Sequence, residues 1–274
     1  MREKVLWMIV SLLLLLSLVW SLLQKESEPK KFPQEQLGNT TIEHFDEAKR
    51  IMKKLYADRP YTFYCGCHFN EAGIDFSSCG FKPYKDLKRA QRVEWEHIVP
   101  AADFGRAFPA WRQGDPRCRD RRGKAFKGRS CAKLVSVVFN RMESDLYNLV
   151  PAIGEVNGMR RDYPVGLLPD SPPIFGQCRT KIARGMIEPR EEVRGFIART
   201  YKYMNDSYRG RGIISAKNEK LFEAWDKQYA PNPDEVLRAR RIAKIQGNIN
   251  RFVEGTAKIA QREEPKKRTQ HGKP

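Results

Sequence analysis

The sequence predicts an α+β fold, a mixed arrangement of helix and sheet in a single domain, and three observations predict it. Strand-like runs lie in the first half, at Tyr61–Tyr64 and Val93–Val99. The last third carries apolar residues at helical spacing behind recognisable caps. No internal repeat and no second linker divides the chain. Apolar residues make up 41% of the 274, enough for a packed core, which excludes a disordered polycation. Lysine and arginine number 51 against 33 acids, a net charge of +18 that exceeds what solubility needs and points to phosphate-rich partners.

In chain order, Met1–Lys4 leads into Val5–Leu23, nineteen residues without a charge. Such a segment is either a secretory signal or a retained signal anchor that makes the membrane a partner through residues 5–23. Both readings put the remainder outside the cytoplasm. Residues 24–40, polar and containing Pro29 and Pro33, read as a tether. Thr41 is expected to cap a helix whose apolar face is Ile42, Phe45, Ala48, Ile51, Met52 and Leu55, with Arg59-Pro60 ending it. Tyr61–Tyr64 is then a strand candidate. Residues 112–133 are expected to form a basic loop bearing Arg112, Arg117, Arg119, Arg121, Arg122, Lys124, Lys127 and Arg129.

Pro151 is a reasonable first residue of a helix, and residues 164–176 are broken by proline and glycine. Pro189 suits the first turn of a helix with Val193, Phe196, Ile197, Tyr201 and Met204 inward. Ser215 caps a second helix carrying Leu221, Phe222 and Trp225. Asn232-Pro233-Asp234-Glu235 has capping-box spacing and opens a third, which carries Arg238, Arg240, Arg241 and Lys244 and ends near Gly247. The aromatics on these helices are expected in the core. Residues 256–274 form a basic tail expected to be disordered.

The six cysteines, Cys65, Cys67, Cys79, Cys118, Cys131 and Cys178, read as three disulfides in an exported chain. Zinc is the rival, but its usual paired C-x2-C spacing is missing. Spacing alone leaves all fifteen connectivities open.

The chemistry concentrates in two runs. Val93-Glu94-Trp95-Glu96-His97-Ile98-Val99 sets a carboxylate beside a histidine. Arg141–Gly158 adds Glu143, Asp145, Asn148 and Asn157. Phosphodiester hydrolysis needs a base for water, and a neutral histidine of ordinary pKa suits it. It also needs charge neutralisation, which a hard divalent cation supplies from one or two oxygen ligands such as Glu96 and Asn157. On a regular strand Glu96 and His97 face opposite sides. They serve one phosphate only if the strand ends or bends there, as Pro100 allows. Gly154 and Gly158 let their helix approach the strand or a ligand closely.

Arg92–Ala101 resembles the signature of the endonuclease I family of bacterial periplasmic and secreted nucleases. Arg141–Leu146, Asn148–Pro151 and Asn157-Gly158 resemble further family segments, as do Tyr64–Cys67, Phe175–Cys178, Ile197–Tyr201 and Arg241–Asn248. The resemblance runs from about residue 41 to about residue 255. It implies a ββα-metal active site that cuts DNA and RNA with little sequence preference and leaves 5′-phosphates. Glu96 and Asn157 would bind the metal, Mg2+ with Mn2+ or Ca2+ as alternatives, and His97 would be the general base. Glu143 would act close to the metal through water. An arginine before Cys131 would hold the cleaved phosphate, Arg129 as first choice and Arg122 as second. Arg122, Lys124, Arg160, Arg241 and Lys244 are expected along the substrate. The implied disulfides are Cys65–Cys178, Cys67–Cys79 and Cys118–Cys131.

The chain departs from the family at Tyr147, where relatives often carry histidine, at residues 162–174, and in lacking an extra C-terminal disulfide. A periplasmic or secreted monomer is expected. The rival readings are a membrane-tethered nucleic-acid-binding protein without catalysis, and an exported metal-dependent phosphatase or lipid phosphodiesterase.

Overall fold

A computed structural model of the protein describes residues 38–253. The signal or anchor segment, the tether up to residue 37 and the tail 256–274 lie outside the described residues. Among the described residues, no helix is long and apolar enough to cross a membrane. The last tether positions belong to the fold. Asn39 is buried, and its amide donates to the carbonyls of Ile42 and Arg141 at 2.6 and 2.9 Å. Its Oδ1 accepts from the N–H groups of Thr41 and Ile42, which holds these residues outside the helix. Helix α1 therefore runs Phe45–Leu55 behind His44, and Thr41 does not cap it. Its inward face is Ala48, Met52 and Leu55.

Tyr61–Tyr64 is not a strand. Tyr61 makes one bridge to His68, and Thr62 turns the chain by accepting from the N–H of Gly66 on its carbonyl and of Cys67 on its hydroxyl. A small antiparallel pair follows, β1 (Phe69–Asn70) and β2 (Gly73–Ile74). Next come α2 (Leu87–Ala90), capped by Asp86, and strand β3 (Val93–His97). Then come α3 (Ala101–Gly105) and α4 (Pro109–Arg112). The basic loop is shorter than the sequence suggests, because Arg129 already lies in helix α5 (Arg129–Val135), which is followed by α6 (Val137–Glu143).

A 3-10 turn at Leu146–Asn148 leads into β4 (Leu149–Ile153), antiparallel to β3 with Glu96 opposite Val150 and His97 opposite Leu149. Pro151 thus sits in a strand rather than opening a helix. Its carbonyl accepts from Phe63 N–H, on the side away from β3, so β3 requires no N–H from it. Helix α7 (Gly154–Arg160) begins directly after β4. A hairpin of β5 (Lys181–Ala183) and β6 (Met186–Glu188) follows, and the sequence reading missed it.

Three longer helices follow, α8 (Arg194–Ser207), α9 (Ala216–Gln228) and α10 (Pro233–Gln246), and the last described residues, 251–253, are helical too. A 3-10 turn at Glu191–Val193 separates α8 from Pro189, which lies outside it. The other caps form as read. Ser215 accepts from Asn218 N–H, Asn232 accepts from Glu235 N–H, and Gly247 ends α10 at φ 85°, a conformation glycine adopts without strain. The Glu235 side chain, however, is paired with Arg199 at 2.7 and 2.6 Å and does not return to the cap.

One apolar core joins α1, the β3–β4 pair, α7 and α8, and Tyr201, Phe222 and Trp225 lie in it. The three disulfides are Cys65–Cys178, Cys67–Cys79 and Cys118–Cys131, leaving no thiol for zinc. Cys118–Cys131 closes the basic loop onto α5, where these two cysteines and Ala110 form a small core of their own.

Candidate active site

β3, β4 and α7 form a ββα unit, and Glu96, His97 and Asn157 from the two sequence runs meet on it, whereas Glu143, Asp145 and Asn148 are buried and do not line the cleft. A cleft of about 710 Å³ is lined by Glu94, Glu96 and His97 from β3, Asn157, Gly158 and Arg160 from α7, Lys49 from α1 and Arg129 from α5. The strand ends at His97, so Glu96 and His97 reach the same cleft despite their alternation. The glycines do what close approach requires. A Cβ at Gly158 would overlap the Arg89 guanidinium, and one at Gly154 would overlap the Arg89 carbonyl.

His97 is buried, with its ring stacked on Phe45 at 5.0 Å. Its Nε2 lies 2.7 Å from the backbone carbonyl of Glu143. A carbonyl only accepts, so Nε2 carries the hydrogen and Nδ1 is left with its lone pair. Burial, aided by the positive charge of Arg129, holds the imidazole down at about 4 rather than at its ordinary value. The ring is therefore neutral near pH 7, and its pKa is lower than the sequence suggests.

Glu96 is buried too. Burial pushes its carboxyl up, while Arg160 opposes that shift by donating to Oε1 at 2.6 Å. The same guanidinium donates to the carbonyls of His97 and Ile98, both at 2.6 Å. Arg160, expected along the substrate, is thus 1% exposed and engaged within the protein. It fixes the end of β3.

Asn157 donates its amide nitrogen to Glu94 at 2.9 Å, which leaves Oδ1 as the atom that could accept from or ligate another group. Glu94 in turn accepts from Arg89 Nε on Oε1 and from Nη2 on Oε2, at 3.0 and 2.8 Å. Glu94 and Arg89 were missed in the sequence. The available signal was spacing, since Glu94 and Glu96 are two apart on a strand and share a face.

Glu143 is 1% exposed and does not line the cleft. Its Oε1 accepts from Arg129 Nε at 2.5 Å, and its Oε2 lies 3.1 Å from Lys133 Nζ. Arg129 leans over the Phe45 ring and reaches the cleft wall. Arg122 and Lys124 do not line the cleft. They stand exposed on the loop, where Asp120 accepts from both backbone N–H groups. Arg241 pairs with Asp58 at 2.7 and 2.8 Å beside a different cleft, and Lys244 is exposed on the same helix.

Among the described residues there is no cluster of three or more histidine, cysteine or acidic side chains that could hold a metal. The oxygen donors at hand are the Glu96 carboxylate and Asn157 Oδ1. So short a set suits a hard cation that keeps most of its waters, and not zinc.

A neutral histidine at the end of the first strand of a ββα unit, facing a cleft walled by cations, is an arrangement suited to acting on a phosphate-rich substrate. The endonuclease I family profile matches residues 34–257. The chain is 43% identical to an extracellular deoxyribonuclease of Aeromonas hydrophila over 217 residues, covering 77% of this chain and 88% of the relative. It is 42% identical to a periplasmic deoxyribonuclease of the same organism, over 77% of this chain and 85% of the other. With an Endonuclease-1 of Buchnera aphidicola subsp. Acyrthosiphon pisum (strain APS) it shares 41% over 78% of this chain and 81% of the relative. The chain belongs to the endonuclease I family.

Proposed function

We propose that the protein is an exported, divalent-cation-dependent endonuclease. It hydrolyses DNA and RNA with little sequence preference and leaves 5′-phosphates. The observation that carries this reading is the pair formed by a buried, neutral His97, whose free nitrogen is Nδ1, and a buried Glu96 beside it in a cationic cleft. The names of the Aeromonas relatives, extracellular and periplasmic, support export.

Glu96 and Asn157 Oδ1 would hold Mg2+, with Mn2+ or Ca2+ as alternatives, and the ion would neutralise charge gathering on the phosphate. His97 Nδ1 takes the proton of the attacking water while the Glu143 carbonyl keeps the ring from turning. Arg129 holds a phosphate oxygen with its terminal nitrogens, since its Nε is occupied by Glu143. Cleavage of the bond between phosphorus and the 3′ oxygen leaves the phosphate on the 5′ oxygen, and the departing 3′ oxygen would take its proton from a second water, which a bound cation would acidify. Lys49, Arg89 and Arg161 line the same cleft and are suited to backbone phosphates rather than base edges, which gives binding without sequence preference. Arg122, Lys124 and Lys244 extend that field outside the cleft.

A plasmid-nicking assay with and without EDTA tests the reading. Nicking that depends on added Mg2+ and is abolished by His97→Ala, with nucleic-acid affinity retained, is expected. A general base contributes about 10²–10⁴-fold to rate. Binding without any cleavage under all divalent cations would instead establish the non-catalytic alternative.

A further inference from the structure

Glu143 is a buried carboxylate shared by two cations. Arg129 takes Oε1 at 2.5 Å and Lys133 takes Oε2 at 3.1 Å. The two are one helical turn apart on α5 and so project from one face. They differ in where they stand. Arg129 lines the cleft beside His97, whereas Lys133 does not. Both are close to half exposed, at 45% and 44%, while the carboxylate between them is 1% exposed.

The charges of this cluster sum to +1, two cations against one anion. Without Lys133 the sum is zero, and the Arg129 charge is cancelled by a carboxylate in a low-dielectric setting where that cancellation is strong. Glu143 cannot simply be dispensed with, because it fixes the Arg129 side chain through Nε.

We propose that Lys133 is a positioning residue of the nuclease, one that neutralises Glu143 so that Arg129 presents an uncancelled charge to the substrate phosphate. The inference rests on the nuclease reading of the cleft. It assigns Glu143 two separable duties. The side chain aims Arg129, with Lys133 as its counter-ion, and the main-chain carbonyl holds His97.

The test is a comparison of Lys133→Met, Lys133→Arg, Glu143→Gln and the double variant Lys133→Met/Glu143→Gln in the purified enzyme. The assay is Mg2+-dependent cleavage of a short duplex, with a thermal melt of each variant. Lys133→Met is expected to lower kcat/KM on the order of tenfold with the Mg2+ concentration for half-maximal activity unmoved. Lys133→Arg should restore the rate. In the Glu143→Gln background, where there is no carboxylate to neutralise, the same Lys133→Met change should have little effect. Should Lys133→Met melt below the assay temperature, Lys133→Gln takes its place in the same comparison.

Unchanged kcat/KM in Lys133→Met overturns the proposal. An equal loss in both backgrounds overturns it too, since that shows Lys133 touching the substrate directly. If the unaltered enzyme cleaves nothing under Mg2+, Mn2+ or Ca2+, it is the nuclease reading that fails.

Discussion

Replacing Arg160 by methionine separates a structural arginine from a substrate-binding one, and the structure gives the size of the effect. Arg160 and the Glu96 side chain are 1% and 6% exposed, and the guanidinium donates to Glu96 Oε1 and to two buried carbonyls, each at 2.6 Å. Methionine fills a similar volume but strands a buried carboxylate. Breaking a buried pair from one side costs about 3–5 kcal/mol, to which the carbonyls left without donors add. For a domain of 150–250 residues each kcal/mol moves Tm by about 2–4 °C, so a loss of about 4 kcal/mol lowers it by roughly 8–16 °C. Thermal unfolding in EDTA reads this without any contribution from a bound cation. Adding Glu96→Gln to the variant removes the stranded charge and should recover the larger part of the loss. A melt of Arg160→Met within about 2 °C of the parent, together with weakened DNA binding, would return Arg160 to the substrate and refute the structural assignment.

Glu94→Ala releases the Asn157 amide and should raise the Mg2+ concentration needed for half-maximal cleavage while leaving saturated turnover close to normal, which a metal titration of the rate checks. Asp103, on α3, has its carboxyl pushed up to about 6 by burial, against the opposing pull of Arg160 and Arg106. Between about pH 4 and pH 6 the folded protein therefore holds a proton that the unfolded chain has released, so this group makes stability fall as pH rises through that window. Asp103→Asn should flatten that part of the Tm–pH curve, and an unchanged slope would count against it. The Cys65–Cys178 bond spans 113 residues and Cys118–Cys131 spans 13. The chain-entropy model gives about 4.7 kcal/mol for a loop of about 100 residues and about 3 for one of about 15, so Cys65→Ser/Cys178→Ser should melt lower than Cys118→Ser/Cys131→Ser.

What the sequence revealed of the site divides by the range of the interaction. Ser215, Asn232 and Gly247 were legible because a cap is decided by residues within one turn of it. Glu96 and His97 stand in one short run and Asn157 in a second, and each run was legible by itself, although only the structure shows that they line one cleft. The partners that make them work were not. Arg160 lies 64 positions from Glu96 and Glu94 lies 63 from Asn157, separations that no periodicity reports. Pro151 misled for a related reason. Local chemistry favours it at a helix start, but the strand carries it because its backbone groups face away from β3, where its carbonyl accepts from Phe63 N–H and no N–H is asked of the ring. The Tyr61–Tyr64 run has strand composition, but the bonds that Thr62 accepts from Gly66 and Cys67 turn it instead.

The contact between His97 Nε2 and the Glu143 carbonyl has a consequence for inheritance. Where an orienting partner is a side chain, one nucleotide change can erase it and scramble which imidazole nitrogen is free. Here the acceptor belongs to the peptide bond, which every residue type at position 143 supplies. The protonation pattern of the imidazole is thus shielded from point mutation at the residue that enforces it. A change of side chain at position 143 alters how Arg129 is aimed, while the carbonyl that fixes the imidazole hydrogen on Nε2 remains.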